Sequence, residues 1–251
     1  QWEKGSLKIE AEASDSDGTI STVQFDYSNN KVDWNRIGSI TTSPYAIDWD
    51  TKISIPQVAS TVWLKANSID DDGDSSKEYI IPTSFKIDNE PPTTSHSYDG
   101  SWQNRDFVIN LTATDKSGMG VQSISYKLNN AEKQTIPTNS QTSVPVSITQ
   151  EGISTLEYWG MDSLENEETH KVLTNIFLDK TSPSFTDWEQ TPADVTEDTT
   201  GSLRISVKMS DKGSGITGKI AQFDYHIGTS TKYEGLKNMT SQDGITWFYD
   251  I

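Results

Sequence analysis

The feature that most constrains the fold is an alternation of apolar and polar residues that occurs three times and ends each time in an aspartate. These aspartates are Asp15, Asp115 and Asp211, spaced by about 100 residues, the length of one β-sandwich domain. Apolar residues lie two, four, six and eight positions before each one: Leu7, Ile9, Ala11 and Ala13; Phe107, Ile109, Leu111 and Ala113; Leu203, Ile205, Val207 and Met209. A two-residue period turns one side of a strand towards a core. The sequence therefore predicts three sandwiches.

Turns and further strands follow each aspartate. A glycine lies within three residues of it, which favours a turn. The next strand has these predicted core residues: Val23, Phe25 and Tyr27; Ile124, Tyr126 and Leu128; Ala221, Phe223 and Tyr225. Later strands run to Asp70 and Asp162, and proline-containing links follow Asp88 and Asp179. No helical periodicity of useful length is present, so we predict domains at residues 1–89, 90–181 and 182–251.

Both ends of the pattern are expected to be incomplete. Only 14 residues precede Asp15, so the first strand of the first domain is short or missing. The chain stops at Ile251, before the third domain would reach its last two strands. Two explanations are open: the sequence is a piece of a longer protein, or a neighbouring chain supplies the missing strands, as in donor-strand assembly.

Two groups of segments resemble bacterial Ig-like repeats. Residues 13–18 (Ala-Ser-Asp-Ser-Asp-Gly) and 43–49 (Ser-Pro-Tyr-Ala-Ile-Asp-Trp) look like the Ig-like domains of microbial surface proteins. Residues 91–94, 111–115, 151–152 and 156–158 resemble a second Ig-like repeat, found in secreted hydrolases and surface proteins of bacteria and archaea. The resemblance covers nearly all of residues 1–181. It implies an all-β fold of tandem immunoglobulin-like Greek-key β-sandwiches, the third one incomplete, in an extracellular or cell-surface setting.

Composition excludes several functions. The formal net charge of −17 would repel a nucleic-acid backbone, so no nucleic-acid partner is expected. Cysteine is absent, which excludes disulfides and thiolate zinc sites. No apolar run approaches the roughly 20 residues that span a membrane. The three histidines are isolated and no nucleophile motif accompanies them, so we predict that the chain is not an enzyme.

The strongest candidate metal site is predicted in the first domain. Two loops that share one end of an Ig-like sandwich carry six carboxylates: Asp15 and Asp17, then Asp70, Asp71, Asp72 and Asp74. Calcium would convert their mutual repulsion into coordination, since it takes six to eight oxygen ligands in flexible geometry. The alternative is that these aspartates are solvated turn formers. Ca²⁺ is the one cofactor that the sequence suggests.

Weaker calcium candidates lie elsewhere. The equivalent loops of the second domain keep Asp115, Asp162, Glu165 and Asn166. The junction acids at residues 88–90 (Asp-Asn-Glu) resemble the calcium-bridged linkers of cadherins. Neither loop of the first-domain candidate matches the helix-loop-helix calcium pattern, because residues 70–74 lack the terminal glutamate at the required spacing.

The sequence also contains candidate glycosylation sites and candidate surface aromatic residues. Asn110 and Asn238 each open a triplet for N-glycosylation, although the triplet also arises by chance. Trp63 and Trp159 are out of phase with the inward residues of their strands, so both are expected to point outward. Such rings either stack on sugars or proteins or, more commonly, pack under a long side chain or a neighbouring domain.

The leading functional prediction is a non-catalytic structural or adhesive stalk of a microbial surface, sheath, S-layer or filament protein. Its partners would be other copies or neighbouring domains of the same protein, or a surface protein or glycan. The alternative is a set of accessory spacer or carbohydrate-binding modules of a secreted hydrolase. A filament subunit with exchanged strands is a third possibility.

Overall fold

The computed structural model describes residues 1–55, 60–116, 119–138, 143–191, 203–215, 221–225 and 235–250 of the 251 residues. The described chain is almost entirely β-structure, which confirms the predicted fold class. The strands are β1 (Trp2–Glu3), β2 (Ser6–Ala11), β3 (Ile20–Ser28), β4 (Asn35–Ile40), β5 (Tyr45–Asp50), β6 (Ser60–Asp70), β7 (Tyr79–Ile80), β8 (Phe85–Ile87), β9 (Thr93–His96), β10 (Phe107–Thr114), β11 (Val121–Leu128), β12 (Gln134–Pro137), β13 (Ser143–Ile148), β14 (Gly152–Asp162), β15 (Lys171–Leu178), β16 (Ser184–Thr191), β17 (Arg204–Ser210), β18 (Gln222–Phe223), β19 (Lys237–Asn238), β20 (Thr240–Ser241) and β21 (Thr246–Asp250). The helix that the structure describes is the single turn α1 (Thr51–Ser54), capped by the Asp50 side chain.

The chain divides into two compact units. Unit 1 contains Gln1–Ser97, Asn110–Pro145 and Leu156–Val172. Unit 2 contains Tyr98–Ile109, Val146–Thr155 and Leu173–Ile251. The described strands pair only within residues 2–87, 93–178 or 184–250. The domain boundaries at 89 and 181 stay a prediction.

In unit 1, residues 2–87 form two sheets. One has the order β1-β8-β6-β3-β4, with β7 added beside β6, and the other pairs β2 with β5. The side chains between them form a core of Trp49, Val62, Leu64 and Ile87. Burial alternates along β2, as the two-residue period predicts. The predicted first strand is present as β1, two residues long and parallel to β8.

Strands β9 to β15 repeat this arrangement. One sheet has the order β13-β10-β9 and the other β12-β11-β14-β15. Along β10 the predicted inward residues Ile109, Leu111 and Ala113 are fully buried, whereas the residues between and after them are exposed or half-buried. The pairing of β11 with β14 shifts register between Val121 and Ser123, as that of β3 with β6 does near its own start. Because both strand pairs have a register shift at the same place, the ends of β6 and β14 are bent in a similar way.

In unit 2, residues 184–250 form a sheet of order β16-β17-β21-β20 and a short pair of β18 with β19. Their core contains Val207, Met209, Ala221, Phe223 and Met239. Four of these were predicted from the two-residue rhythm. Among the residues described, no helix is long and apolar enough to cross a membrane.

Candidate metal centre

Three aspartates from separate strand ends of unit 1 meet in one cluster. Asp88 follows β8, Asp115 follows β10 and Asp162 ends β14. One carboxylate oxygen of each lies within 4.8 Å of those of the other two. The side chains of Asp88 and Asp162 are fully buried, and Asp115 is half-buried. We refer to these three residues as the aspartate triad.

Asp88 is fixed by the strand before it. Ile87 is buried in the core, and the parallel pairing with β1 continues one step further, because the Asp88 N–H donates to the Glu3 carbonyl at 3.0 Å. Asp88 Oδ1 accepts a hydrogen bond from the Glu90 N–H at 3.0 Å. Asp88 Oδ2 is buried and has no hydrogen-bond partner among the described residues. A buried oxygen of this kind is costly unless something else satisfies it.

Asp162 is held by the turn that follows it. Its Oδ1 accepts from the N–H groups of Leu164 and Asn166, both at 2.8 Å. Its Oδ2 accepts from Asn166 Nδ2 at 2.8 Å. The turn passes through Glu165 at φ 65°, a left-handed conformation. Aspartate suits position 162, at the start of this turn, because its short side chain bonds to the backbone two residues ahead.

Asn166 also reaches the residues that lead into the second predicted domain. Its Nδ2 donates to the Asp88 carbonyl at 3.1 Å, in addition to its bond with Asp162. One amide group therefore ties the β14 turn to the start of residues 88–92, which we call the connector.

Electrostatics make the triad unfavourable without a positive partner. Two unit charges within 4.8 Å of each other repel by about 3 kcal/mol at an effective dielectric constant of about 20. Among the described residues, neither Asp88 nor Asp162 forms an ion pair with a basic side chain. The bonds that reach these two carboxylates come from neutral N–H groups. A divalent cation would offset the repulsion among the three carboxylates.

A further buried acid, Glu168, binds the strand that follows the connector. Glu168 accepts from the Thr94 N–H at 3.0 and 3.1 Å and from the Gly160 N–H at 3.1 Å, and it pairs with Lys171 at 2.6 Å. Burial raises the pKa of Glu168, but the bonds from Lys171, Thr94 and Gly160 together outweigh it, so the pKa lies below its usual value. Glu168 is therefore an ionised anchor at neutral pH.

Unit 2 contains a sequence equivalent of Asp88 with a different environment. Asp179 follows β15, and its Oδ2 accepts from the Ser214 N–H at 2.6 Å while Oδ1 accepts from the Thr181 N–H at 3.1 Å. The bond from Ser214 is the main reason that the pKa of Asp179 lies below its usual value. A Cβ on Gly213 would lie 2.2 Å from Asp179 Cγ, so only glycine fits beneath this carboxylate. Backbone groups satisfy both oxygens here.

The calcium site predicted in the first domain is arranged differently. Asp17, Asp71, Asp72 and Asp74 are exposed, whereas Asp15 and Asp70 are half-buried. Asp71 Oδ1 accepts from the Thr19 N–H, which lowers the pKa of Asp71, and Asp70 Oδ1 accepts from the Asp74 N–H. In the part of the chain that the structure describes, no three of these acids bring their oxygens within 4.8 Å. Calcium binding by this loop stays a prediction.

The two tryptophans expected to face outward are covered. Trp159 is 3% exposed, because the His170 ring stacks on it at 3.6 Å and two lysine ammonium groups, of Lys127 and Lys133, lie within 6 Å of its ring centre. Trp63 is half-buried under Lys31, at 5.0 Å. Packing under a long side chain, the second interpretation given above, describes both rings.

Both glycosylation candidates are exposed. Asn110 lies on the solvent side of β10, and Asn238 ends β19 with its Oδ1 accepting from Gln222 Nε2 at 2.7 Å. Their use as acceptors stays a prediction.

All three members of the triad are candidate residues in the sequence, but the sequence pattern does not join them. Asp115 and Asp162 were assigned to loops of the second domain, and Asp88 to a junction. The signal that joins them is topological: those loops share one end of an Ig-like sandwich, and the preceding chain enters at that end.

Comparison with known proteins gives a family match for the first predicted domain. Residues 2–99 match the family model described as bacterial Ig domain. Similar solved structures include the fibronectin(III)-like modules of Clostridium thermocellum CbhA, with TM-score 0.33, 18% identity and coverage of 71% of this chain and 88% of that one. The FN1–FN3 domains of chicken CNTN1 give TM-score 0.31, 10% identity and coverage of 69% and 64%. No curated protein matches the sequence.

Proposed function

We propose that this chain, whose residues 2–99 are similar to bacterial Ig domains, is a non-catalytic spacer or stalk segment of a microbial extracellular or cell-surface protein. Bacterial Ig and fibronectin-III-like domains are generally non-catalytic and commonly extracellular. The observation that carries the proposal is the connector, which hydrogen bonds hold from both sides.

The first predicted domain holds the connector through Asn89. Its Oδ1 accepts from the Gly5 N–H at 2.8 Å, and its Nδ2 donates to Thr51 Oγ1 at 3.0 Å and to the Ile55 carbonyl at 3.3 Å. These bonds join the connector to α1 and to the turn between β1 and β2.

The second predicted domain holds the connector through Asn166 and through close packing. The Asn166 amide binds the Asp88 carbonyl, and Pro92 is buried against Gly160 of β14. The two prolines restrict φ on their own account. A flexible hinge would instead use solvated Gly and Ser residues. A fixed connector favours a spacer that transmits position or force.

The alternative, a carbohydrate-binding accessory module, has less support. It relied on Trp63 and Trp159 as exposed platforms, and cationic side chains cover both rings. The formal net charge of −17 suits a solvated extracellular segment.

Distances between paired spin labels test the proposal. The chain contains no cysteine, so exposed Asp33 and Glu132 can be changed to cysteine and labelled without interference. We expect a narrow distance distribution in the parent protein. Replacing connector residues 90–92 (Glu-Pro-Pro) by Gly-Ser-Gly should broaden it.

The matched control replaces residues 82–84 (Pro-Thr-Ser), three exposed loop residues, by the same Gly-Ser-Gly sequence. This change should leave the distribution narrow. A parent distribution as broad as that of the connector variant would refute the stiff spacer.

A further inference from the structure

We propose that the aspartate triad binds one calcium ion at the entrance to the connector. The first reason is the convergence of the ligands. Asp88, Asp115 and Asp162 come from three separate strand ends, and their oxygens lie within 4.8 Å of one another. That separation is what ligands bound to a common ion require, because oxygens that each lie 2.3–2.6 Å from calcium are at most about 5 Å apart.

The second and independent reason is the unsatisfied oxygen of Asp88. The Asp88 side chain is fully buried within the triad, and its Oδ2 has no hydrogen-bond partner in the described ranges. Native proteins rarely leave such an oxygen unsatisfied, and an ion is one of the ordinary explanations. Together, buried anionic oxygens from three segments and an unused lone pair indicate a cation ligand.

The third reason is the contrast with the matching position in unit 2. Asp179 follows β15 as Asp88 follows β8, but Ser214 and Thr181 donate N–H groups to its two oxygens. The chain therefore satisfies a carboxylate at this position in two ways. Backbone donors satisfy Asp179, and the proposed ion satisfies Asp88.

The donor set selects the metal. All three side chains offer hard oxygen atoms, which calcium prefers, whereas zinc prefers cysteine and histidine. Magnesium needs near-ideal octahedral geometry and keeps most of its water, while calcium accepts irregular sites. Binding does not depend on the proposed function. The consequence that calcium stiffens the connector does rest on it.

Calorimetric titration of the chelator-treated full chain tests the proposal directly. We expect a site with a Kd of about 10⁻⁴–10⁻³ M, typical of extracellular modules. Asp88→Asn should weaken its calcium affinity at least tenfold. Two control variants, Asp72→Asn in the exposed acidic loop and Asp179→Asn in unit 2, should leave that affinity unchanged.

Thermal unfolding separates ion binding from general destabilisation. In chelator, Asp88→Asn should melt at or above the temperature of the parent protein, because it removes one of three repelling charges. In about 10 mM calcium, the parent Tm should rise by several degrees and that of the variant should not. If Asp88→Asn does not fold by circular dichroism, Asp115→Asn takes its place.

Three results would overturn the proposal: no binding by the parent protein at millimolar calcium, equal binding by the Asp88 variant, or loss of binding in Asp72→Asn. Loss of binding in Asp72→Asn would show that calcium binds to the exposed acidic loop and not to the triad. These outcomes are distinct from the spin-label experiment, since a stiff connector that binds no calcium would contradict this inference alone.

Discussion

At Gly160, β14 passes so close to the connector that no side chain fits between them. A Cβ built there would lie 2.9 Å from Thr94 Oγ1 and 3.0 Å from Pro92 Cγ. The proline ring cannot move without its backbone, and Thr94 is itself buried. Glycine is thus required here by space and not by a left-handed conformation.

Gly160→Ala should lower the free energy of unfolding by about 1–2 kcal/mol. Overpacking costs about 1–3 kcal/mol, and alanine recovers about 0.4–1 kcal/mol of chain entropy. Urea unfolding followed by circular dichroism measures the change. Gly38→Ala is the control, because its Cβ would meet only the mobile end of Ile47, and it should cost less. If both variants lost the same free energy of unfolding, the connector would be able to move and accommodate the added Cβ at position 160.

Glu168 gives this region a pH dependence whose sign follows from its pKa. The carboxyl is ionised more readily in the folded protein than its usual value of 4.5 implies. A depressed folded pKa contributes stability that is fully present above the unfolded value and is lost as pH falls through the folded value. The stabilisation therefore begins to fall below about pH 4.5 and is lost once the pH has passed below the folded pKa.

Glu168→Gln should destabilise the protein by about 1–3 kcal/mol at pH 7, because it removes the charge-assisted bonds to Lys171 and two N–H groups. The difference in the free energy of unfolding between the parent and Glu168→Gln should become smaller towards pH 3. Urea midpoints at pH 7 and pH 3 measure this difference. Glu167→Gln, at an exposed neighbour, should have little effect at either pH. A gap that is constant with pH would mean that the charge of Glu168 is unimportant.

At the scale of strands, the two-residue rhythm was sufficient to predict β2, β10 and β17 and the side of each strand that is less exposed. Their burial follows from the sheet alone, because alternate side chains leave on opposite faces. The phase of Trp159 along its strand indicates that the ring points away from the inward residues, but it does not identify the residue that covers the ring. That cover comes from His170, 11 positions away on the other side of a turn, and strand phase carries no information about such a contact.

The metal centre was harder to predict for a similar reason. Loops rich in aspartate are easy to recognise in a sequence. The first-domain loop contains the most aspartates, so the calcium site was predicted there. The triad has one aspartate from each of three distant segments. Burial distinguishes the two: Asp88 and Asp162 are enclosed, whereas most acids of the first-domain loop face water, which solvates them without an ion. Composition cannot show that difference.

At the scale of the whole chain, 37 acidic residues face 20 basic ones, which gives the formal net charge of −17. Such an excess destabilises a folded protein through self-repulsion. Surface ion pairs such as Arg204 with Asp250 and Lys208 with Asp187 act in the opposite direction. Exposed pairs contribute little to stability because solvent screens them, so repulsion should dominate.

Sodium chloride should therefore stabilise this protein. Raising the concentration from about 0.01 M to about 0.1 M shortens the screening length from about 30 Å to about 10 Å, which weakens repulsion between distant charges more than attraction within close pairs. We expect Tm to rise in the parent and in Asp88→Asn alike, and magnesium chloride at equal ionic strength to act similarly. Calcium should give a further rise in the parent alone, because screening does not distinguish the two divalent ions whereas the triad does. A Tm that falls with sodium chloride would show that the close pairs outweigh the net charge.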